Sequence, residues 1–380
     1  MITSDPEEKA REKLGVGVES VRLSAFRNYT ALDVELDPAF NVIAGANAQG
    51  KTNFLESLYL LSTTRLLRGQ RDAEAILQGH GQCTVTAELY GGRTQLGMIL
   101  EAGIKKRALL NGIRLPRASD LIGRLPCVCI SSLDLAIVRD EPTDRRLFLD
   151  LELCALYPSY LRNLAQYKRA LEQRNALLRE SREFMQPAVL FESWEEQIAS
   201  AGAELRKARA AYVVELAPIA RERHRAMGDG EQLDIGYLAK DEAKTDDELR
   251  EALQATRSQD VSRGGTSVGP HRDDLSIVID GREGRLYGSQ GQQRTSMIAL
   301  KLATLEVGKQ KLGFPPLLLL DDILSDLDQR RRSLLVELVL REAGQAVLTC
   351  TEAAAAGPDI LDRARVFEVR AGAMRPTVEG

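Results

Sequence analysis

The hydrophobic positions in the first hundred residues alternate with polar ones, as expected of strands that bury one face. Four segments follow this period of two: 18–26, 32–36, 83–90 and 95–101. Asn28 predicts a turn between the first two of these strands, and Asn111-Gly112 predicts a hairpin. A short apolar run from Phe40 to Ala44 predicts a buried strand that ends at Gly45, and residues 55–61 then have helical spacing.

The pattern changes near Glu141. Residues 144–256 are rich in Leu, Ala, Arg and Glu, and their apolar positions keep helical spacing. Pro187 and Pro218 are expected to divide this region into separate helices. Strand patterns return in three segments: 275–279, 317–320 and 345–349. The chain is therefore predicted to be α/β, then helical, then α/β again.

Composition narrows the class of protein. With 44% hydrophobic and 28% charged residues, the chain has the composition of a soluble globular protein. It shows no apolar run near 18 residues, and its charged first residues do not resemble a signal peptide. The five cysteines are scattered without a CxxC pair, which argues against zinc and for a reducing, cytoplasmic location. The net charge of -4 argues against a surface that is basic throughout, although nucleic-acid binding needs only a local basic patch.

A phosphate-binding loop follows the strand that ends at Gly45. The sequence Gly45-Ala46-Asn47-Ala48-Gln49-Gly50-Lys51-Thr52 matches GxxxxGK[ST]. Small residues let backbone N–H groups surround a β-phosphate, Lys51 reaches the β- and γ-phosphates, and Thr52 offers a hydroxyl to Mg²⁺. Since a strand precedes the loop and a helix follows it, the helix N-terminus adds partial positive charge. The pattern predicts ATP and Mg²⁺ as cofactors.

Two acids complete this predicted site. The run Leu317-Leu318-Leu319-Leu320 is typical of a parallel strand that is covered on both faces, and it ends in Asp321-Asp322. Asp321 is placed to hold Mg²⁺ together with Thr52. Asp322 is predicted to orient or deprotonate the attacking water, so Asp322 and Lys51 are the predicted catalytic residues.

Two further motifs resemble those of ABC ATPases. The segment Ser289-Gln290-Gly291-Gln292-Gln293 is similar to the ABC signature, and Ser325-Asp326-Leu327-Asp328 resembles the D-loop. In that superfamily the signature of one subunit touches the γ-phosphate that the other subunit holds, and the D-loop crosses the same seam. The resemblance therefore implies that Ser289, Gly291, Gln292 and Gln293 act across a dimer, with Ser325, Asp326 and Asp328 beside them.

The chain departs from the common ABC pattern at two places. The second acid is Asp322 where glutamate is common, and Asp is shorter by one methylene. The switch histidine usually found after the next strand is replaced by Thr349-Cys350-Thr351. Both departures favour slow hydrolysis, which suits a timed switch better than a pump.

Further motifs resemble the RecF family of bacterial recombination proteins from about Val21 to about Thr351. They are Phe26-Arg27-Asn28-Tyr29, the loop from Gly45 to Asn53, Arg145-Arg146 with Phe148-Leu149-Asp150, Gln173-Arg174-Asn175, Gly269-Pro270-His271-Arg272-Asp273-Asp274 and the signature. The resemblance implies a protein that dimerises on ATP and binds DNA near single-strand/double-strand junctions. It also implies that the protein works with RecO and RecR to load RecA. Arg27, Asn28 and Asn53 join the P-loop as nucleotide-binding residues on the same ground.

The predicted fold is α/β, an ABC-type P-loop ATPase head with an inserted, mostly helical second domain. The predicted segments are 1–135 and 261–380 for the head and 136–260 for the insert. Lys51 and Ser289 are 238 positions apart (289 minus 51), more than a transporter subunit uses. An ABC transporter subunit and an SMC-class chromosome ATPase are the alternatives. The missing switch histidine argues against the first, and an insert too short and too broken for a long coiled coil argues against the second.

Several basic residues leave two interpretations open. His271 either faces the nucleotide or caps a turn. Arg145-Arg146 either pairs with Asp144 or Asp150, which is favoured, or makes a phosphate or interdomain contact. The basic residues of the insert form either a solvated helix face, which is the default, or a DNA track between two heads. These residues are Arg206, Lys207, Arg209, Arg221, Arg223 and Arg225.

Overall fold

The computed structural model describes residues 16–68, 71–184 and 186–377, so the charged N-terminal segment lies outside it. The strands are β1 Val18–Phe26, β2 Tyr29–Glu35, β3 Phe40–Ala44, β4 Gln82–Leu89, β5 Thr94–Glu101, β6 Ile104–Leu110, β7 Ile113–Arg114, β8 Cys127–Ser131, β9 Leu233–Leu238, β10 Asp274–Ile279, β11 Arg282–Glu283, β12 Leu317–Asp321, β13 Ala346–Cys350, β14 Ala364–Arg370 and β15 Ala373–Pro376. The helices are α1 Lys51–Thr63, α2 Ala136–Arg139, α3 Pro142–Leu156, α4 Pro158–Glu180, α5 Ala188–Met227, α6 Asp246–Arg263, α7 Gly284–Tyr287, α8 Gln290–Leu312, α9 Gln329–Glu342 and α10 Pro358–Leu361.

The chain divides into two compact units. Met1–Leu135 with Ile298–Gly380 forms the head unit, and Ala136–Met297 forms the helical unit. The second boundary lies later than the predicted position at 260, because β10 pairs with β9 and β11 in a three-stranded sheet. Residues 261–297, and with them the signature segment, therefore belong to the helical unit.

The head unit contains two six-stranded sheets. One is antiparallel with strand order β2-β1-β4-β5-β6-β7. The other has order β15-β14-β3-β13-β12-β8 and is parallel except for β15. Helix α1 contributes Phe54, Leu55 and Leu58, which are fully buried, to the core cluster that residues of both sheets share. The α/β fold class is confirmed, although β8, β14 and β15 were not predicted.

The parallel sheet explains why distant motifs meet. The loop after β3 carries the P-loop, β12 ends in Asp321, and β13 lies between these two strands. Register pairs Cys350 with Ala44 and Asp321 with both Thr349 and Ser131. The carboxyl ends of these strands therefore lie along one edge of the sheet, which is the usual place for a ligand in such folds.

The helical unit differs from the predicted pattern in two ways. Strand β9 lies inside the region predicted to be helical, and Pro218 lies inside the 40-residue helix α5 instead of ending a helix. Proline removes one backbone N–H, so the carbonyl of Val214 loses its helical partner. Both Pro218 and Val214 are exposed, which leaves that carbonyl open to water and explains why the helix continues. Pro187 does precede α5, as predicted.

Buried arginine–carboxylate pairs hold the helical unit together. Arg174 has no exposed surface, and its guanidinium contacts Glu195 and Asp260 at 3.1 and 2.8 Å. It also donates to the hydroxyl of Thr266 and to the carbonyl oxygen of Leu253. The N–H groups of this one side chain thus form hydrogen bonds that join helices α4, α5 and α6. A fully buried guanidinium group needs all of its hydrogen-bonding partners, because solvent cannot replace them.

We expect Arg174→Ala to lower the free energy of unfolding by about 3–5 kcal/mol, because it leaves Asp260 as a buried carboxylate without its arginine and leaves Glu195 with Arg257 alone. Chemical denaturation monitored by circular dichroism measures the change. Arg250→Ala is the control, because Arg250 pairs with Asp247 at the exposed surface and its loss costs less than about 1 kcal/mol. Equal stability of the two variants would contradict the structural role of Arg174.

Candidate nucleotide-binding site

Two glycines give the P-loop its shape. Gly45 has φ 159°, and a Cβ there would lie 2.5 Å from the carbonyl oxygen of Val369. Gly50 has φ 123°, and its Cβ would lie 2.8 Å from the side-chain amide of Asn28. A side chain at either position would collide with these groups in addition to straining the backbone. The glycines at both ends of the motif are therefore required by close approaches.

Lys51 lies folded back across its own loop. Its side chain is largely buried, and Nζ donates to the carbonyl oxygens of Gly45 and Ala46 at 2.6 and 3.0 Å. Rotation about the terminal bonds would let the ammonium exchange these carbonyls for phosphate oxygens. Helix α1 begins at Lys51 with no acidic residue in its first turn, so its N-terminal N–H groups favour an anion.

The predicted nucleotide-binding residues Asn28 and Asn53 support the loop in this structure. Asn28 donates from Nδ2 to the carbonyl oxygen of Gln49 at 2.7 Å and accepts from Asn53 Nδ2 at 2.8 Å. The hydroxyl of Tyr29 donates to the carbonyl oxygen of Gly50 at 3.1 Å. The turn between β1 and β2 therefore fixes the second half of the P-loop, and direct contact of Asn28 or Asn53 with a nucleotide stays a prediction.

A second support comes from the C-terminal hairpin, which the sequence analysis missed. In the turn between β14 and β15, Ala371 N donates to Gln49 Oε1 at 2.7 Å and Gly372 N donates to Gln49 O at 3.0 Å. A Cβ on Gly372 would lie 2.1 Å from the carbonyl oxygen of Asn28, so this turn needs glycine. Gln49 is thus held by its backbone and by its side chain.

Arg27 is engaged in a buried ion pair. Its Nε and Nη2 donate to Glu56 at 2.7 and 3.1 Å, and the side chain of Glu56 is fully buried. Glu56 also accepts from the backbone N–H groups of Leu67 and Arg68. The sequence feature that could have identified Glu56 is an acidic residue within the mostly apolar sequence of α1. Contact of Arg27 with a nucleotide remains a prediction, and its observed partner is Glu56.

The predicted metal residues lie in direct contact. The Thr52 hydroxyl donates to Asp321 Oδ1 at 2.9 Å, and the Thr349 hydroxyl donates to the same oxygen at 2.8 Å. Burial raises the pKa of Asp321, and the negative charge of Asp322 raises it further. A hydroxyl beside a partly desolvated carboxylate is the oxygen donor set that Mg²⁺ accepts, so Thr52 and Asp321 fit this ion.

Thr349 also positions the second acid. Its Oγ1 accepts from the backbone N–H of Asp322 at 2.9 Å, so one hydroxyl joins both acids. Asp322 has a positive φ of 51°, and its Oδ1 accepts from the Ser325 hydroxyl at 2.6 Å. This arrangement holds the Asp322 carboxylate in a defined direction and connects it to the predicted D-loop. The sequence analysis named Thr349 only as part of the segment that lacks a switch histidine.

The other two D-loop residues differ in their surroundings. Asp328 is the N-cap of α9, where its Oδ1 accepts from Arg331 N at 2.9 Å. This cap is a structural role that the sequence analysis did not assign. Asp326 is exposed. Roles of these residues across a dimer seam stay predictions.

The signature segment forms the start of α8 in the helical unit. Ser289 N donates to Gln292 Oε1 at 2.9 Å, and Gln292 N donates to Ser289 Oγ at 3.2 Å, which is a reciprocal capping box. Ser289 and Gly291 are exposed. Gln293 is buried and donates to the carbonyl oxygen of Gly284. Ser289 and Gly291 therefore face solvent, whereas Gln293 shapes the segment from beneath.

Structural roles account for several residues whose function was left open. The favoured pairing of Arg145-Arg146 with Asp144 or Asp150 is wrong: Arg145 pairs with Asp274, and Arg146 donates to the carbonyl oxygen of Asp273 and to the Thr143 hydroxyl. His271 bridges the hydroxyl of Tyr167 and the carbonyl oxygen of Thr266.

The idea of a DNA track fails for two of the six basic residues, because Arg206 and Arg209 are buried in ion pairs. Arg206 pairs with Asp241 and Asp273, and Arg209 pairs with Asp150.

The P-loop at the edge of a mostly parallel sheet, the acid pair at the end of β12 and the signature segment with its exposed first residues are the features of an ATP-binding head of the ABC/SMC type. The model of the RecF/RecN/SMC N-terminal domain matches residues 17–357. The chain belongs to this family and, within it, to the RecF proteins.

The relatives cover nearly the whole chain. The DNA replication and repair protein RecF of Symbiobacterium thermophilum is 39% identical over 374 residues, covering 93% of this chain and 97% of the relative. The RecF protein of Heliobacterium modesticaldum is 38% identical over 364 residues, covering 93% and 98%.

Solved structures agree with this placement. The structure of the recombination mediator protein RecF with ATP in the RecFOR pathway matches with a TM-score of 0.87 and 29% identity, covering 96% of this chain and 99% of that one. An Smc head domain from Pyrococcus furiosus matches with a TM-score of 0.55 at 16% identity over 95% and 96% of the two chains, which shows a shared fold. In the part of the chain that the structure describes, no helix is both long and apolar enough to span a bilayer.

We expect Thr349→Val to weaken Mg²⁺-dependent ATP binding, with the largest effect at acidic pH. Mg²⁺ needs the ionised form of Asp321, so its binding is lost as pH falls through the raised pKa of that carboxyl. The Thr349 hydrogen bond lowers this pKa, and its removal should shift the loss of binding to higher pH. Titration calorimetry with Mg²⁺ and ATP across a pH series measures the shift.

Thr351→Val is the matched control, because Thr351 is exposed and two positions further along the chain. Coincident pH profiles for Thr349→Val and the control would show that Thr349 does not tune Asp321.

Proposed function

We propose that this protein is an ATP-dependent DNA-binding clamp that acts in recombinational DNA repair and replication restart. ATP closes two copies into a dimer, the dimer binds DNA at single-strand/double-strand junctions, and hydrolysis reopens it. The observation that carries the proposal is the signature segment at the start of α8, where Ser289 and Gly291 are exposed.

The signature is suited to contact a phosphate on another molecule. The Ser289 hydroxyl accepts from Gln292 N, so its own proton is directed elsewhere and can be donated. The N-terminus of α8 favours an anion beside that hydroxyl. A γ-phosphate held by a P-loop is such an anion, and a second copy of this chain would present it.

Hydrolysis is proposed to be slow and to act as a switch. We propose Asp322 as the residue that orients water; its carboxylate accepts from the Ser325 hydroxyl, and its backbone N–H donates to Thr349. Since Ser325 belongs to the predicted D-loop, a second copy at the seam would contact the group that fixes Asp322. Turnover would then depend on dimer formation.

The partners follow from the relatives. The relatives are named for DNA replication and repair, and the solved structures are described as a recombination mediator of the RecFOR pathway. We therefore propose RecR and RecO as protein partners and RecA as the protein that is loaded. RecF relatives that match over nine-tenths of the chain favour this function over a transporter subunit, and the Smc head shares only the fold.

The pair Ser289→Asp and Ser289→Asn tests the seam. Both residues are good N-caps, so α8 should keep its start, and only Asp adds a charge that repels the γ-phosphate. We expect Ser289→Asp to bind ATP normally, to remain monomeric with ATP during size-exclusion chromatography with light scattering, and to bind DNA weakly. Ser289→Asn should still dimerise. An ATP-induced dimer of Ser289→Asp would contradict the proposed seam.

Asp322→Asn should bind ATP but hydrolyse it roughly 10²–10⁴ times more slowly, because it loses the group that orients or deprotonates water. The ATP-bound dimer should therefore persist after ATP is added. Asp322→Glu is the comparison, since the longer acid retains this chemistry and should not slow the reaction. Phosphate release under single-turnover conditions measures both rates, and unchanged turnover in Asp322→Asn would assign water activation to another residue.

A further inference from the structure

The helical unit contains an open pocket of about 680 Å³ whose lining is basic. We call it the basic pocket; its lining includes Arg146, Lys240, Arg263, Arg272, Ser267 and Glu141. Arg146 lies on α3 and Arg263 on α6. Lys240 follows β9, Ser267 and Arg272 precede β10, and Glu141 precedes α3. Neither the P-loop motifs nor the signature account for this clustering.

The four cations of the basic pocket have no acidic partner in the part of the chain that the structure describes. Arg146 donates to the carbonyl oxygen of Asp273 and to the Thr143 hydroxyl, and Arg272 donates to the carbonyl oxygen of Thr266. The side chains of Lys240 and Arg263 are exposed. Within residues 16–68, 71–184 and 186–377, no carboxylate oxygen lies within 4.0 Å of any of the four.

The acid at the rim does not neutralise them. Glu141 forms its ion pair with Arg285, which does not line the pocket. The pocket therefore carries four positive charges, two of which, on Arg146 and Arg272, are held in place by neutral carbonyl and hydroxyl groups.

Other arginines of the same unit are treated differently. Arg145, Arg174, Arg206 and Arg209 are buried, and each pairs with a carboxylate at 3.1 Å or less. The arginines that stabilise the fold of this unit are thus paired with carboxylates. The four cations of the basic pocket differ from them in having no such pair among the described residues.

The local electrostatics reflect the neighbouring arginines. Burial lowers the pKa of Arg146, the charges of Arg209 and Arg272 lower it further, and Asp274 and Asp150 act in the opposite direction. The pKa of His271 is lowered to about 4, first by burial and then by Arg272 and Arg146. His271 is therefore neutral at physiological pH, and both of its ring nitrogens are already used in hydrogen bonds.

A further hydrogen-bond donor lies in the lining. Among the residues that the structure describes, Ser267 Oγ has no hydrogen-bond partner, although it is buried and Ser267 lines the cavity. An unpaired hydroxyl beside four cations is a group that a phosphate would satisfy.

We propose that the basic pocket binds backbone phosphates of a nucleic-acid strand. This inference rests on the proposed DNA-binding function and deepens it by placing a contact. The lining includes no Phe, Tyr or Trp on which a base could stack, so the contact reads the backbone and not the sequence. A free polyphosphate offers the same chemistry from another source.

The double variant Lys240→Gln/Arg263→Gln tests the pocket at its two exposed cations. The matched control is Arg162→Gln/Arg169→Gln, which removes two exposed arginines of α4 that do not line the pocket. Binding of a labelled gapped duplex is measured by fluorescence anisotropy with ATP at several salt concentrations. The magnitude of the slope of log K against log salt should fall by about 2 in the pocket variant and stay unchanged in the control.

Size-exclusion chromatography with ATP accompanies the binding measurement and should show a dimer for wild type, variant and control. If the pocket variant and wild type have equal DNA affinity and equal slope, the proposed role of the basic pocket is overturned, and the proposed clamp is not. A wild-type protein that binds no DNA would overturn both.

A second arm distinguishes the source of the phosphate. In a Lys51→Ala background, which disables the P-loop, binding of inorganic tripolyphosphate is measured with and without the pocket substitutions. If the substitutions abolish tripolyphosphate binding but leave DNA binding unchanged, the pocket takes a free polyphosphate and the nucleic-acid assignment is overturned. Loss of DNA affinity with the reduced slope supports it.

Discussion

The hydrogen bond between Thr52 and Asp321 joins residues that are 269 positions apart, and the nucleotide site depends on it. It can form only because β3, β13 and β12 lie side by side in parallel and end at the same edge. Thr349, on the strand between them, donates to the same carboxylate oxygen and accepts from the backbone of Asp322. A change in the register of any of these strands would separate Thr52 or Thr349 from the acids Asp321 and Asp322.

Local signals predicted the site better than they predicted its surroundings. The P-loop, the acid pair and the signature segment are contiguous motifs, so they could be located from the sequence alone. Partners distant in the chain were missed, as for Glu56 with Arg27 and Gly372 beside Asn28, because sequence spacing does not reveal which strand ends meet. The prediction that Pro218 separates two helices was wrong for a related reason. A proline is tolerated inside a helix where the freed carbonyl is exposed to solvent, and only the packing decides whether it is.

The arginines show how one residue type serves two purposes in the same unit. A buried guanidinium group is stabilised by its paired carboxylate in place of water, so the pair joins helices. Because the two charges cancel, the pair does not attract a charged ligand. Arg146 and Arg272 are held by carbonyl oxygens and a hydroxyl, which orient the guanidinium without cancelling its charge. A protein with a net charge of -4 can then bind a polyanion through a small region whose neighbours are already neutralised.

The two proposed seam elements share a principle of construction. At the signature, the Ser289 oxygen accepts from the helix backbone, so its position is set before any phosphate arrives. At the D-loop, the Ser325 hydroxyl donates to Asp322, so the direction of that carboxylate is set from the exposed side. In each case a serine within the chain already makes the bond that fixes the functional group. A second copy would therefore meet an organised surface, and closure would cost little ordering entropy. An ATP-dependent dimer with a small conformational cost can open again after a single hydrolysis event, as a timed switch requires.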